Sequence, residues 1–379
     1  MSRILLIVGP SGGHLMPVIA VAEELKMLQS DIELHVLCSD RTEDHAALRR
    51  RNIAFTVLPS LRMSAMLPVH LLKNILIASR VLKSFRPDMI FSKGGALGLP
   101  ACFLAHRRGI PIVLHESDAV LGRANRFAAR FATTLCLGFP RTVKDRGQRT
   151  EDRGENENSI SLSPKSFVLS PRGVSVVVTG NPIRSEIMNG SHEEGLRITG
   201  LSGTRPIFLV LGGSQGAVAL NIAVRANIDE LLTFCDVIHL TGTGKSGAEA
   251  RPSYWSRPFV DAELPHLYAC ADFALCRSGA GTISELAAHS IPAILCPLTG
   301  LAQDHQTVNA VVAEQTGGCM IVQQEILEKN LVPFVRQFVD DPGKRERMAT
   351  AMHSLAHPAA ARRIAEIIAD TLEQPGGDA

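Results

Sequence analysis

At 379 residues the chain is long enough for two domains of ordinary size, and 45% apolar against 20% charged residues marks a globular, core-forming protein. Lys and Arg total 39 against 37 Asp and Glu, a net charge of +2; with only two Tyr and one Trp as stacking platforms, no nucleic-acid partner is expected. The eight cysteines sit scattered in apolar runs with no Cys-x-x-Cys pair, so they read as small core hydrophobes in a reducing compartment, neither zinc ligands nor disulfides. No run of about 18 apolar residues is present and no signal-peptide cleavage pattern follows the first strand, so a cytosolic protein is expected.

In chain order, residues 3–8 read as a strand, 9–14 as a loop and 15–28 as a helix with apolar residues at helical spacing. Residues 32–38 and 53–58 are further strands around a helix at 42–51, and 88–92, 111–115 and 133–137 continue the alternation. Strands that are almost continuously apolar and separated by helices predict a parallel, doubly wound α/β sheet. Residues 144–172 break the pattern with a charged, then Ser/Pro-rich stretch that has little to bury, and read as a mobile surface insert. A second α/β series uses 206–211, 236–240, 272–276 and 291–296 as strands and ends in helices at 342–355 and 359–372, with a frayed tail. The expected division is an N-terminal domain over 1–182 and a C-terminal domain over 183–379, two doubly wound domains facing a cleft.

Three glycine loops follow strands: Gly9-Pro-Ser-Gly-Gly-His14, Gly212-Gly-Ser-Gln-Gly216 and Ser278-Gly-Ala-Gly-Thr282. None fits Gly-x-Gly-x-x-Gly, which counts against a dinucleotide oxidoreductase; together they suggest that a polyanion is handled. In the third, the apolar strand stops at Ser-Gly-Ala-Gly-Thr and a helix is expected over 286–290, leaving backbone N–H groups aimed at an anion. Glu285 would then accept from a ribose diol, or serve only as a favourable acid near a helix start. Gly242-Thr-Gly-Lys-Ser246 lacks the first glycine of a Walker motif, which falls on His239. Gly212-x-Ser214-x-Gly216 fits a nucleophile elbow, making Ser214 a hydrolase nucleophile with Asp304 and His305, or else a phosphate donor. His14 opens the first helix, where the positive dipole disfavours imidazolium; it is either a base or a capping residue. Glu116 or Asp118 would bind a hydroxyl or cap the next helix. Residues 61–77 mix Leu, Ile and Met with Arg62 and Lys73, and read as a core helix or a membrane-touching patch.

Ser11-Gly-Gly-His-Leu-Met-Pro17, Gly109-Ile-Pro-Ile-Val-Leu-His-Glu116, Gly180-Asn-Pro-Ile-Arg184, Gly212-Gly-Ser-Gln-Gly-Ala217, Arg277-Ser-Gly-Ala-Gly-Thr-Ile-Ser-Glu285 and Asp304-His-Gln-Thr-Val-Asn309, in this order, resemble the MurG family. These are UDP-N-acetylglucosamine:undecaprenyl-diphospho-muramoylpentapeptide N-acetylglucosaminyltransferases of GT-B fold, and the resemblance covers nearly all of the chain outside 144–172. It implies two Rossmann-like domains with the C-terminal helices packing back towards the first. The activity implied is inverting transfer of GlcNAc from UDP-GlcNAc to the muramoyl 4-hydroxyl of lipid I, at the cytoplasmic face of the membrane. It also implies that Ser214 and the turn Ala280, Gly281, Thr282, Ile283 and Ser284 approach the diphosphate and uridine. Val260 would meet the uracil through its backbone, Glu285 the ribose hydroxyls and Gln306 the sugar. Ser11, Gly12, Gly13, Asp118 and Arg184 match other substrate positions, and His14 is the implied base. No Asp-x-Asp metal motif is present, so neither metal nor cofactor is expected. Two departures fall on the acceptor side: Gly94-Gly-Ala-Leu-Gly-Leu-Pro100 lacks the family's tyrosine, and His115-Glu-Ser-Asp118 has an acid where the family has an amide. A related acceptor is the alternative.

Overall fold

The computed structural model describes residues 1–9, 13–61, 66–140, 173–213, 215–245, 251–300 and 304–373. The expected insert at 144–172, together with Ser11, Gly12 and Ser214, lies outside them. Two compact units are present: Met1–His14 with Leu25–Thr179 and Ile364–Ala379, and Leu15–Glu24 with Gly180–Arg363.

The first series runs β1 (Arg3–Ile7), α1 (Leu15–Leu28), β2 (Glu33–Ser39), α2 (Thr42–Arg50), β3 (Ala54–Leu58), α3 (Leu67–Ser84), β4 (Met89–Ser92), α4 (Leu99–His106), β5 (Ile112–Glu116), α5 (Arg123–Ala128), β6 (Thr134–Leu137) and β7 (Ser175–Val178). Its seven strands form one sheet in the order β3-β2-β1-β4-β5-β6-β7, every neighbouring pair parallel. The central strands are covered on both faces, which is why β1 and β4 read as unbroken apolar runs.

The second series runs α6 (Ser185–Met188), α7 (His192–Thr199), β8 (Ile207–Leu211), α8 (Val218–Ala226), α9 (Ile228–Leu231), β9 (Asp236–Leu240), β10 (Tyr254–Arg257), α10 (Leu264–Cys270), β11 (Phe273–Cys276), α11 (Ala280–Ala288), β12 (Ala293–Leu295), α12 (His305–Glu314), β13 (Cys319–Ile321), α13 (Gln324–Val339), α14 (Pro342–His353) and α15 (Ala360–Glu373). Its sheet is also parallel, in the order β10-β9-β8-β11-β12-β13. Phe208, Phe273 and Phe338 stack in series at 5.0 and 5.2 Å through its core.

Three sequence expectations are corrected. The edge strands β10 and β13 escape the apolar-run criterion because they are short and partly exposed. The helix expected from residue 286 begins at Ala280, so Ala280-Gly-Thr-Ile-Ser284 is its first turn and a half and not a loop. Of the two readings of 61–77, the described residues from 66 on do not fit a core helix: α3 buries only Asn74, Ala78, Val81 and Leu82, while Val69, Leu71, Leu72, Ile75 and Leu76 are exposed.

Both sheets reverse their strand order beside the first strand of their series, between β1 and β4 and between β8 and β11. Loops leaving neighbouring strands at such a point run to opposite faces and open a crevice at the strand ends. All three glycine loops of the sequence leave β1, β8 or β11.

Candidate active site

In the first unit the crevice is edged by the segments after β1, β4 and β5. Lys93 N–H donates to Ile7 O at 3.0 Å, which fixes the β4 exit beside β1. The ring of His14 lies over Gly9; a Cβ there would fall 1.7 Å from Nδ1, so only glycine fits. His14 Nδ1 is buried without a partner among the described residues. Burial, and secondly the charge of Lys93, depress the imidazole pKa to about 3, so the ring is neutral.

Lys93 itself is 2% exposed. Its Nζ stands 3.1 Å from His115 Nδ1, and burial lowers its pKa to about 8 against the opposing pull of Glu116 and Asp118. The acid at 118, where the family has an amide, is thus matched by a buried cation nearby. Glu116 is not a free hydroxyl ligand. Its carboxylate accepts from Asp118 N–H and Gly122 N–H at 3.0 Å each and from Asn125 Nδ2 at 2.8 Å, so it organises the loop after β5. Asn125 Oδ1 in turn accepts from Gly95 N–H at 3.0 Å, tying that loop to the turn after β4. Gly94, at φ +90°, leaves no room for a Cβ against the same amide. The roles of Lys93 and Asn125 escaped the sequence reading; a lysine ending an apolar strand before Gly-Gly was the available signal for the first.

In the second unit the loops after β8 and β9 meet backbone to backbone. Gly216 has φ +69°, and a Cβ there would fall 1.9 Å from Thr241 O. Lys245 Nζ donates to Gln215 O and Gly216 O, each at 2.7 Å, so the lysine of the Walker-like run staples the glycine loop.

The Arg277–Glu285 stretch divides its labour. Arg277 donates to Cys296 O at 2.9 Å and Gln324 Oε1 at 2.5 Å, holding the β11 exit. Gly279 is the N-cap of α11 without a side-chain cap, and the first intrahelical bond is Ile283 N–H to Gly279 O. The N–H groups of Ala280, Gly281 and Thr282 therefore lack intrahelical partners, and Gly281 is exposed with open space around it. Ile283 points into the core and has only backbone to offer. Ser284 Oγ donates to Ala280 O at 2.9 Å and accepts from Asn181 Nδ2 at 3.2 Å, so its hydroxyl is already used.

Glu285, half-buried on α11, accepts from Tyr268 Oη at 2.7 Å through Oε2. Burial raises its pKa, opposed by the Tyr268 bond and by Arg184. Arg184 is buried and pairs through Nη1 with Asp261 Oδ1 at 3.1 Å and Glu186 Oε2 at 3.3 Å, so a phosphate would compete with these carboxylates for it. Val260 is buried in the loop after β10, next to Asp261. Gln306 Oε1 accepts from Leu298 N–H at 3.0 Å. Among the described residues no group of three or more His, Cys, Asp or Glu is arranged to hold a metal ion.

Residues 4–136 match the glycosyltransferase family 28 N-terminal domain and residues 207–364 the glycosyltransferase family 28 C-terminal domain. A Lachnoclostridium phytofermentans protein is 33% identical over 352 residues, 90% of this chain and 92% of that one. A Clostridium botulinum (strain Kyoto) protein is 31% identical over 343 residues, 88% and 89% of the two chains. Both are named UDP-N-acetylglucosamine–N-acetylmuramyl-(pentapeptide) pyrophosphoryl-undecaprenol N-acetylglucosamine transferase. This chain belongs to that family, the MurG family of glycosyltransferase family 28. The crystal structure of Acinetobacter baumannii MurG shares the fold, with a TM-score of 0.71 at 23% identity over 98% of this chain and 100% of that one. MurG membership retires the hydrolase reading of Ser214, which left the whole first unit without a role.

Proposed function

We propose that this protein transfers N-acetylglucosamine, with inversion, from UDP-GlcNAc to the muramoyl 4-hydroxyl of undecaprenyl-linked lipid I, producing lipid II for peptidoglycan synthesis. The observation that carries the reading is the second switch point. There a helix start with open N–H donors stands on the same helix as Glu285, whose Oε1 has no partner among the described residues. That is the chemistry a nucleoside diphosphate requires: dipole and N–H groups for phosphate, and an acceptor for a ribose diol.

On this reading the second unit is the donor side. Ala280, Gly281 and Thr282 bind the diphosphate through N–H groups, with Ser214, and Ile283 and Ser284 contribute only by shaping the turn. Val260 meets the uracil through its backbone, Glu285 the ribose, and Gln306 the sugar. Arg184 adds positive charge beside the nucleotide. The first unit is the acceptor side, with Ser11, Gly12, Gly13 and Asp118 on the acceptor and His14 as base. The acceptor 4-oxygen attacks the anomeric carbon, its proton passes to neutral His14, and the bond from that carbon to the β-phosphate oxygen breaks to release UDP. The leaving charge falls on helix-terminal and backbone donors, each worth ~0.3–1 kcal/mol at a surface and up to ~2 in a closed site, so several must converge. No metal or cofactor is required for this assignment.

The lipid acceptor makes a membrane surface part of the reading. No helix among the described residues is long and apolar enough to cross a membrane. The exposed apolar face of α3, with Leu72 57% exposed next to Lys73, suits peripheral contact with an anionic cytoplasmic leaflet. The test is transfer of radiolabelled GlcNAc from UDP-GlcNAc to lipid I and to simpler acceptors. Label in lipid II supports the reading, label only in another acceptor reassigns the acceptor, and UDP-GlcNAc binding without turnover overturns it.

A further inference from the structure

Tyr268 is one of two tyrosines in the chain and is 3% exposed. It sits on α10, which is packed hard against the segment before β8. A Cβ at Gly190 would fall 2.0 Å from Pro265 O, and one at Gly195 2.3 Å from His266 O. The tyrosine ring stacks on His289 at 5.2 Å and 21°, and His289 Nε2 is bound to Ile187 O at 2.8 Å. The helix backbone is therefore held by close glycine contacts and the ring by its stack on His289, and the hydroxyl donates to Glu285 Oε2 at 2.7 Å. Burial and the neighbouring carboxylate hold the phenol well above its usual pKa, so it is always a donor.

We propose that Tyr268 is a positioning residue for nucleotide recognition: its clamped hydroxyl fixes Oε2 of Glu285 so that Oε1 is presented to the ribose diol of a nucleoside diphosphate. The proposal rests on Glu285 being the ribose acceptor. In a half-buried carboxylate a fixed donor at Oε2 limits rotation; without that donor it rotates or takes up a proton, and either change removes the acceptor from the ribose. The arrangement reads the sugar of the nucleotide and not its base or phosphates. Its signature is therefore the preference for UDP over 2′-deoxy-UDP.

The test measures the affinity of both nucleotides for the full-length protein by calorimetry, in the wild type, Tyr268→Phe and Glu285→Gln. Phenylalanine keeps the volume and the stacking on His289 and removes only the donor. The expected result for Tyr268→Phe is a loss of roughly tenfold in UDP affinity. Its preference for the ribonucleotide should collapse as in Glu285→Gln, with KM for UDP-GlcNAc raised and kcat little changed. If Glu285→Gln loses the preference and Tyr268→Phe keeps it, the positioning role is overturned while the ribose reading stands. If Glu285→Gln keeps it, the ribose reading itself falls. A measurement that needs no change at position 268 guards against a variant that does not fold. Wild-type protein grown with 3-fluorotyrosine gives two ¹⁹F resonances, assigned with Tyr254→Phe. The Tyr268 signal should move on UDP binding and move less with 2′-deoxy-UDP; a signal indifferent to UDP overturns the proposal.

Discussion

Lys93→Met tests the electrostatics of the first unit. Burial lowers the Lys93 pKa from 10.5 to about 8, so below pH 8 both folded and unfolded chains carry the proton and the folded state bears the full cost of a buried charge. Between pH 8 and 10.5 the unfolded chain still holds a proton that the folded chain has released. Stability from this group therefore rises with pH across that window. At 1.36 kcal/mol per pKa unit the cost is about 3 kcal/mol at pH 7 and below about 1 kcal/mol at pH 10. Relative to Lys93→Met, which titrates nothing here, the wild type should gain about 2.5 kcal/mol between pH 7 and 10, or about 5–10 °C in Tm for a unit of this size. The assay is thermal unfolding of both proteins at intervals across that range, read as a difference so that other titrating groups cancel. UDP binding, proposed to lie in the second unit, should be unchanged by the substitution. Parallel Tm curves, differing by less than about 0.5 kcal/mol over the range, would show that Lys93 is not held as a depressed ammonium beside Glu116 and Asp118.

His14 has a folded pKa of about 3, below its ordinary 6.5, so the ring stays neutral across the working range and loses stability for the fold only as pH falls from 6.5 toward 3. The acid limb of kcat/KM should therefore lie below about pH 5; a limb near 6.5 that vanishes from the residual activity of His14→Gln would contradict the burial argument. Gly216→Ala meets a left-handed backbone cost of about 1–2 kcal/mol plus the collision with Thr241 O, and should lower Tm and abolish UDP binding together; intact UDP binding would separate the loop packing from the donor site. Changing Leu72 and Leu76 to Ser and Lys73 to Glu should cut flotation with anionic vesicles without lowering Tm, since all three are exposed; unchanged flotation would remove α3 from the membrane reading. Transfer should persist in EDTA; loss of turnover restored by magnesium would require a metal in the mechanism.

The alternation of apolar strands and helices was legible because a doubly wound sheet buries both faces of its strands, and such runs have few other readings. The three glycine loops were legible for a related reason: a chain leaving a central strand beside its neighbour meets another backbone, as Gly216 meets Thr241. What the sequence hid were pairings made by topology. Nothing local joins Tyr268 to Glu285 or Lys93 to His115, because α10 and α11 flank β11 and the β4 and β5 exits are neighbours only in the sheet. The helix boundary at Ala280 was misplaced because two glycines within five residues suggest a loop, yet at an uncapped helix start Gly279 and Gly281 leave N–H groups open. Residues 61–77 carry helical periodicity but no mark of which face has a partner, so composition alone could not decide between core and surface.

Two glutamates following apolar strands, Glu116 closing β5 and Glu285 on α11, are opposite in structure. Glu116 accepts from three donors, two of them backbone N–H groups of its own loop, so its oxygens are spent on holding residues 116–125 in place. Glu285 accepts from one side chain, and Oε1 has no partner among the described residues. A buried carboxylate whose acceptor capacity is saturated internally is part of the scaffold; one held at a single oxygen is poised for a ligand that brings donors. The same accounting separates Ser284, whose hydroxyl both donates and accepts within the unit, from Gln306, whose carbonyl accepts from Leu298 N–H and whose N–H groups have no partner among the described residues. Residue type and position in a motif singled out all four in the sequence. Only the count of unspent donors and acceptors divides those that build the site from those proposed to meet substrate.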